Sequence, residues 1–183
     1  CWAEYLFHGG LPGHFPVLRK LAKLSLIGLS TACVSPPFMA SGNLETGQLE
    51  ELARLLETAA AEQQLTCLLI HHPPLPRMTR WRKALANAQA LQDVLERFPP
   101  PLIFHGHLHR NREQQWGNTR IFCTAAASSV SDASYRVIDI EDDGKCWSLR
   151  MALKSVVIKN TGELGFLTID EQTWSVPKQI GGS

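Results

Sequence analysis

Apolar residues repeat along the chain at two spacings, and each spacing predicts a type of element. Short apolar runs predict strands over 24–30 and 67–70 and from residue 102 onward. Apolar positions three and four residues apart predict helices over 48–60 and 83–98. Because a strand, a helix and a second strand in this order form the unit of a parallel sheet, this pattern predicts an α/β fold.

After residue 109 the spacing changes to alternation, which is typical of strands with one buried face. Alternation predicts strands over 121–125, 134–140, 145–154 and 165–170, with a hairpin turn at 142–144. Gly and Pro recur over 1–22 and predict a loop or a frayed helix there. The 183 residues suit one domain, with a loop-rich start over 1–22, a core over 24–154 and a terminal strand and tail over 160–183.

Histidines follow two of the predicted parallel strands. Five of the seven histidines of the chain lie there: His71, His72, His105, His107 and His109. Carboxyl ends of parallel strands meet at one edge of a sheet, so both groups are expected at the same edge. Neutral imidazole is the commonest metal ligand in proteins. The pattern therefore indicates a metal site.

Within the second group, His107 and His109 are two residues apart on a segment that we expect to be extended, so they would share one face. His105 has the same parity, but it precedes Gly106, where the chain is expected to turn, and it lies nearer the buried strand. We expect its ring to form hydrogen bonds within the core. The alternative for His71 and His72 is that both are core histidines before a Pro-Pro turn, which would require two independent clusters to coincide.

Four cations follow the Pro-Pro turn: Arg77, Arg80, Arg82 and Lys83. Beside a metal edge they could hold phosphate oxygens, which arginine binds through two parallel hydrogen bonds. They are equally well explained as the solvated start of a helix. Arg82, and after it Arg80, are the candidates for a substrate contact.

Net charge, apolar runs and cysteine spacing disfavour several classes of function and location. The net charge is +1, which disfavours nucleic-acid binding because that function usually brings a basic surface. No apolar run approaches the ~20 residues of a membrane span, and no signal peptide is visible. The five cysteines are widely spaced and form no Cys-x-x-Cys pair, which favours a reducing compartment over a disulfide framework or a structural zinc site. We expect a cytoplasmic protein, and because the first residue is Cys1, a chain that begins inside a longer protein.

With these residues in place, the chain resembles the C-terminal part of the calcineurin-like metallophosphoesterases. It is most similar to the bacterial branch that includes cyclic-nucleotide and glycerophosphodiester phosphodiesterases. The resemblance covers roughly residues 24–150 and rests on the sequences His-His-Pro-Pro at 71–74 and Gly-His-Leu-His at 106–109. The strand end over 28–32 and the helix that starts near Gln48 support it.

The resemblance implies a two-sheet sandwich flanked by helices, of which this chain supplies the C-terminal half. It also implies three of the seven ligands of a two-metal site, namely His71, His107 and His109. Two divalent ions of Mn, Fe or Zn are implied, because mixed His, Asp and Asn ligation suits these metals better than Ca. His72 would help to orient the site, and no other catalytic residue is implied in this chain.

Three motifs of that family are absent from this sequence: Asp-x-His, Gly-Asp and Gly-Asn-His-Asp. The chain would therefore lack the bridging aspartate and the histidine that protonates the leaving group. We expect residues 1–183 alone to bind divalent metal weakly and to hydrolyse almost nothing.

The implied function is hydrolysis of a small phosphodiester or phosphomonoester by two metal ions that share a bridging hydroxide. The alternatives are a non-catalytic scaffold of the same fold that binds a partner protein, a nuclease, and a pyrophosphohydrolase of lipid A synthesis. The sequence upstream of Cys1 would separate the enzyme from the scaffold, since it would show whether the missing motifs exist. The sequence leaves the substrate and the oligomeric state open.

Overall fold

A computed structural model describes residues 15–127, 133–158 and 163–178. The chain divides into two compact units. The first unit takes Cys1–His105 and Gln114–Ile121, and the second takes Gly106–Glu113 and Phe122–Ser183. The single domain expected over 1–183 stays a prediction. Most of the expected loop-rich start and the end of the tail lie outside the described residues.

A six-stranded sheet carries the histidine-bearing strands. Its members are β1 (Val17–Leu21), β2 (Leu24–Gly28), β3 (Leu65–Ile70), β4 (Leu102–His105), β5 (Arg112–Trp116) and β6 (Thr119–Cys123). Their order across the sheet is β1-β2-β3-β4-β6-β5. β1 is antiparallel to β2, whereas β2, β3 and β4 are parallel neighbours. The predicted α/β class is thereby confirmed.

Helices connect the parallel strands, α1 (Thr46–Ala61) between β2 and β3 and α2 (Ala88–Arg97) between β3 and β4. Both bury an apolar face, with Leu52, Leu91 and Leu95 fully inaccessible to solvent. In the described residues no helix is both long and apolar enough to cross a membrane.

The helix predicted over 83–98 begins five residues later than expected, at Ala88. Residues 84–86 instead bond to a loop, because the Gly42 N–H donates to the Ala84 carbonyl at 3.2 Å and the Ala86 N–H donates to the Gly42 carbonyl at 2.8 Å. A tertiary contact therefore overrides the helical spacing of Leu85, which is buried in the core without being part of the helix.

The second unit contains a three-stranded antiparallel sheet of β7 (Ser134–Asp142), β8 (Cys146–Ile158) and β9 (Leu164–Pro177). The alternation predicted for β8 is confirmed, since Trp147, Leu149 and Met151 are buried. β9 has 14 residues and is far longer than the strand predicted over 165–170. Polar residues at 170–173 hid its continuation, because they interrupt the apolar alternation.

Two further strands were not predicted. Val17–Leu21 forms β1, where a loop or a frayed helix was expected. Its antiparallel pairing with β2 stabilises the strand, although its own sequence has no regular apolar pattern. β5 was missed because Arg112, Glu113, Gln114 and Gln115 are all polar and exposed. A strand without a buried face has no period-two signal.

Candidate active site

The parallel strands of the first unit end at one edge of the sheet. Gly28 pairs with Leu69, and Ile70 pairs with His105, so β2, β3 and β4 end at neighbouring positions. His71 follows directly after β3. Ligand sites of open α/β sheets lie at this edge. The prediction that the β3 and β4 ends meet is therefore confirmed.

His72 is buried, with 6% of its surface exposed. Its ring lies within the loop over 31–42, where Nδ1 is 2.7 Å from the Thr31 hydroxyl and Nε2 is 3.1 Å from the Ala40 carbonyl oxygen. A carbonyl oxygen only accepts hydrogen bonds, so we assign the proton to Nε2. Burial lowers the pKa of His72, which favours this neutral form. Because both nitrogens are engaged, the geometry suits the predicted orienting role better than metal ligation.

Gly42 allows the His72 ring to lie against the backbone. A Cβ at this position would be 2.5 Å from His72 Nδ1 and 2.9 Å from the Thr31 carbonyl oxygen. Both distances are shorter than a carbon atom tolerates without displacement of its neighbour. The glycine is therefore needed for close packing around the imidazole.

His71 lies beside this buried ring and is exposed. The rings of His71 and His72 meet edge to face, with 5.1 Å between their centroids and an interplanar angle of 84°. His72 thus supports the His71 imidazole from the protein side. The exposed imidazole is a suitable ligand for a transition metal.

The second histidine segment is not the extended strand that the sequence led us to expect. β4 ends at His105, which is buried, and the chain then turns. His107 and His109 have φ values of +67° and +52°, and the Leu108 N–H donates to the Gly106 carbonyl at 2.8 Å. The prediction that His107 and His109 share one face of an extended segment is therefore wrong. Non-glycine residues in the left-handed region are uncommon, and they cluster at functional sites where the surroundings enforce them.

The turn over 106–109 belongs to the second unit and is held there by two side chains that lie outside the turn. Asn111 Oδ1 accepts hydrogen bonds from the Ala125 N–H at 3.1 Å and from the Ser134 hydroxyl at 3.0 Å. The buried Cys123 thiol lies 3.3 Å from the Gly106 carbonyl oxygen and donates to it. Asn111 was not singled out from the sequence, because its partners lie 14 and 23 residues further along the chain and no local pattern connects them.

Arg80 and Arg82 are exposed, as expected for cations that would meet a substrate. The Arg82 guanidinium lies over the Trp81 ring, 5.3 Å from its centroid. The Arg82 carbonyl accepts a hydrogen bond from the Ala40 N–H at 2.9 Å. Since the Ala40 carbonyl bonds to His72, this single residue links the His72 ring to the backbone of the cationic segment.

Two amide side chains fix the ends of the loop that covers His72. Gln48, at the start of α1, accepts from the Ser30 N–H at 2.8 Å and donates to the Ser30 carbonyl at 3.0 Å. Asn87, just before α2, accepts from the Leu44 N–H at 3.0 Å and donates to its carbonyl at 2.7 Å. Each amide bonds to both backbone groups of one residue that flanks the loop, as a neighbouring strand would. Neither amide was singled out as an anchor from sequence.

The metal ligands themselves stay a prediction. Within the described residues of either unit, no three His, Cys, Asp or Glu side chains come together as a metal-binding set. His71 belongs to the first unit, whereas His107 and His109 belong to the second. The chemistry of the donors fits two of the implied metals, because exposed imidazoles such as those of His71 and His109 suit Fe and Zn.

Comparison with known proteins gives a sequence relationship over part of the chain. It is 38% identical over 86 residues to the 3',5'-cyclic adenosine monophosphate phosphodiesterase CpdA of Escherichia coli, a match that covers 45% of this chain and 30% of that protein. It is 30% identical over 126 residues to CpdA of Pseudomonas aeruginosa, covering 61% of this chain and 46% of that protein. The chain thus spans less than half the length of these curated relatives. No protein-family model matches it.

Solved structures show weaker likeness. A dimetal phosphatase from Danio rerio aligns with a TM-score of 0.49 and 17% identity, covering 70% of this chain and 40% of that one. GAP50 of Plasmodium, described as the anchor in the inner membrane complex, aligns with a TM-score of 0.49 and 12% identity, covering 90% of this chain and 54% of that one. Likeness at this level says nothing about what the chain binds.

Proposed function

We propose that the chain is part of a calcineurin-like metallophosphoesterase, a metal-dependent enzyme that hydrolyses a small phosphodiester or phosphomonoester. The observation that carries the proposal is the His71–His72 step at the edge of the parallel strands. There one imidazole is buried with both nitrogens engaged, and the next is exposed beside it. The name of the CpdA relatives, which are phosphodiesterases, supports the reaction class.

Two divalent ions would be held by His71, His107 and His109 together with ligands that the resemblance assigns to the sequence upstream. When bound, such ions neutralise phosphate charge and lower the pKa of water. The remaining tasks fall to side chains of this chain. His72 holds the loop over 31–42 in place beside His71, and Arg82 and Arg80 would donate charge-assisted hydrogen bonds to phosphate oxygens.

Hydrolysis of bis(p-nitrophenyl) phosphate with added Mn²⁺ tests this proposal in two forms of the protein. We expect almost no turnover from residues 1–183 alone, because three ligands without the bridging carboxylate cannot form the full site. A longer protein that contains the three missing motifs should show metal-dependent turnover, which His71→Ala should abolish.

Comparison of residues 1–183 with the longer protein shows which part of the proposal is wrong if either result differs from expectation. Strong Mn²⁺-dependent turnover by residues 1–183 alone would show that the upstream ligands are unnecessary. A longer protein with every motif present but no turnover on any phosphodiester or phosphomonoester would contradict the enzyme and favour the scaffold.

A further inference from the structure

One cationic side chain of β7 occupies a position on the buried side of the three-stranded sheet. Arg136 pairs with Leu153 of β8, which is buried, as is Met151 on the same face. An apolar residue would be expected at this position of the alternating pattern. The Arg136 guanidinium instead lies 5.1 Å from the centroid of the fully buried Phe122 ring. Because a charge is costly to remove from water, its presence here points to a specific task.

Acidic side chains compensate for the burial of this charge. Burial lowers the pKa of Arg136, and the carboxylates of Glu113 and Asp170 act in the opposite direction. Gln172 Nε2 bonds to both carboxylates, donating to Glu113 Oε2 at 2.7 Å and to Asp170 Oδ2 at 3.0 Å. The guanidinium therefore stays cationic, and its hydrogen bonds are charge-assisted.

The Arg136 guanidinium binds the chain segment at the end of β6. Nη2 donates to the Cys123 carbonyl at 3.2 Å, and Nε donates to the Thr124 hydroxyl at 3.2 Å. The planar fork of arginine forms both bonds from one side chain, which the single ammonium of lysine does not reproduce. Arg136 therefore fixes two consecutive residues.

The same segment supports the turn over 106–109. The Cys123 thiol donates to the Gly106 carbonyl at 3.3 Å. Burial raises the pKa of this thiol, while the N–H groups of Leu108 and Arg110 act in the opposite direction, so both N–H groups lie close to the sulfur. The sulfur thus lies against alternate residues of the segment, and the two histidines with positive φ lie between them.

We propose that Arg136 is a positioning residue for the metal site. By holding Cys123 and Thr124, it keeps the Cys123 thiol against the turn, and the supported turn keeps His107 and His109 in the conformation that binds metal. Left-handed backbone at two histidines is strained and depends on such support. The proposal rests on the phosphoesterase function proposed above, and it makes metal affinity depend on a side chain that is not itself a ligand.

Amide hydrogen exchange of residues 1–183 in EDTA tests the support of the turn without metal. Arg136→Met retains an extended side chain but removes both hydrogen bonds. We expect exchange over 106–111 to become about tenfold faster, since a hydrogen bond to a charged group is worth about this factor in an equilibrium constant, while exchange in α1 stays at the parental rate. Thr124→Val should act in the same direction with a smaller effect, and Thr124→Ser, which keeps the hydroxyl, should match the parent.

The Zn²⁺ affinity of the longer protein, measured by competition with a chromogenic chelator, tests the consequence for the metal site. Arg136→Met should weaken Zn²⁺ binding about 10- to 100-fold, the usual effect of substituting a residue that orients ligands. Arg150→Met is the matched control, because this exposed arginine of the same sheet bonds to Asp139, and it should leave the affinity unaltered.

A second control separates positioning from a general loss of stability. Leu149→Ala alters the buried core of the same sheet and should lower the melting temperature at least as much as Arg136→Met, yet leave the Zn²⁺ affinity at the parental value. Equal weakening of Zn²⁺ binding by these two variants would overturn the proposal, as would an Arg136→Met variant whose turn exchanges at the parental rate.

The two measurements also separate this proposal from the proposed function. If the parent binds no Zn²⁺ but Arg136→Met still speeds exchange in the turn, the support of the turn stands and the metal-dependent enzyme is refuted. If the parent binds Zn²⁺ and Arg136→Met alters neither exchange nor affinity, the enzyme stands and the role of Arg136 is refuted.

Discussion

The segments at His71–His72 and at His107–His109 both follow a strand of the same sheet, yet they are fixed in opposite ways. In the first, His72 is itself the anchor, since both of its ring nitrogens bond to the loop over 31–42. In the second, the anchors lie outside the histidines. Asn111 and Cys123 hold the turn, while His107 and His109 adopt left-handed backbone conformations.

The difference shows two ways of presenting an imidazole. In one way, hydrogen bonds hold a buried histidine in place while the next histidine faces solvent. This requires space around the buried ring, which Gly42 leaves. Alternatively, hydrogen bonds with Asn111 and Cys123 can hold a bent backbone that carries the histidines. The two segments should therefore fail in response to different substitutions.

The largest effect is expected where a histidine binds metal. In the longer protein, His71→Ala, His107→Ala or His109→Ala should each lower activity about a hundredfold or more, since residues that only orient ligands are already worth about 10- to 100-fold. His105→Ala should instead lower the free energy of unfolding by on the order of 1–3 kcal/mol, because a buried partner loses its polar group.

Elemental analysis of bound metal, measured beside the melting temperature of each variant, separates these effects. Loss of metal in His105→Ala together with a full complement in His109→Ala would reverse the assignment of ligands.

Gly42→Ala should break the first segment. The added Cβ would lie 2.5 Å from the His72 ring, and overpacking of this kind costs about 1–3 kcal/mol. Gly47→Ala is the matched control, because nothing lies within 4 Å of its Cβ, and in α1 it should stabilise the protein by about 0.5–1 kcal/mol. Urea unfolding measures both. If the two variants lose stability equally, the His72 ring does not depend on Gly42.

Asn111→Ala should break the second segment, with a smaller loss of about 1–2 kcal/mol, because two donors lose their acceptor. Asn111→Asp retains the oxygen and should recover most of that loss. The control Asn118→Ala changes an exposed asparagine and should stay within about 0.5 kcal/mol of the parent. Urea unfolding again gives the comparison, and equal losses in the Ala and Asp variants at 111 would remove Asn111 from the role of anchor.

The smallest effect is a pH dependence specific to the first segment. Burial lowers the pKa of His72 in the folded state below its ordinary 6.5, so the unfolded chain takes up this proton first as the pH falls. The unfolded state then binds more protons, and His72 should destabilise the fold progressively below about pH 6.5, by at most about 1.4 kcal/mol per pH unit.

Urea midpoints measured in EDTA at about pH 7.5 and pH 5.5 test this linkage in the parent and in His72→Gln. The parent should lose more stability on acidification than the variant. Parallel profiles would mean that the His72 ring accepts a proton without leaving its site.

The elements that could be predicted from the sequence are those whose signal lies in residues close together along the chain. The apolar runs before His71 and before His105 located β3 and β4, and the spacing of leucines located α1, because both signals lie within one element. Their parallel pairing followed from the order of elements. The left-handed turn at His107 was not predicted, since nothing in the composition of 106–109 requires a positive φ at a histidine.

The two amide anchors of the loop, Gln48 and Asn87, could not be predicted from the sequence for a physical reason. Gln48 bonds to Ser30 across 18 residues, and Asn87 bonds to Leu44 across 43 residues. Such pairs form only when the whole sheet is assembled, so no local pattern encodes them. The late start of α2 has the same cause, because its expected first turn bonds to Gly42. Whether His71, His107 and His109 bind metal stays a prediction.

Cys33 lies in the loop that covers His72, and its thiol is 3.3 Å from the Ser41 carbonyl oxygen. Of the four cysteines that the structure describes, it is the exposed one. Burial raises the pKa of Cys67 to about 12 and also raises the pKa of Cys123, while a hydrogen bond to a neighbouring aspartate raises the pKa of Cys146. Fewer thiolates form at these three sites, so a maleimide dye should label Cys33 ahead of them. The loop thus has a native attachment point for a fluorophore, and emission from that dye would report on the surroundings of the loop.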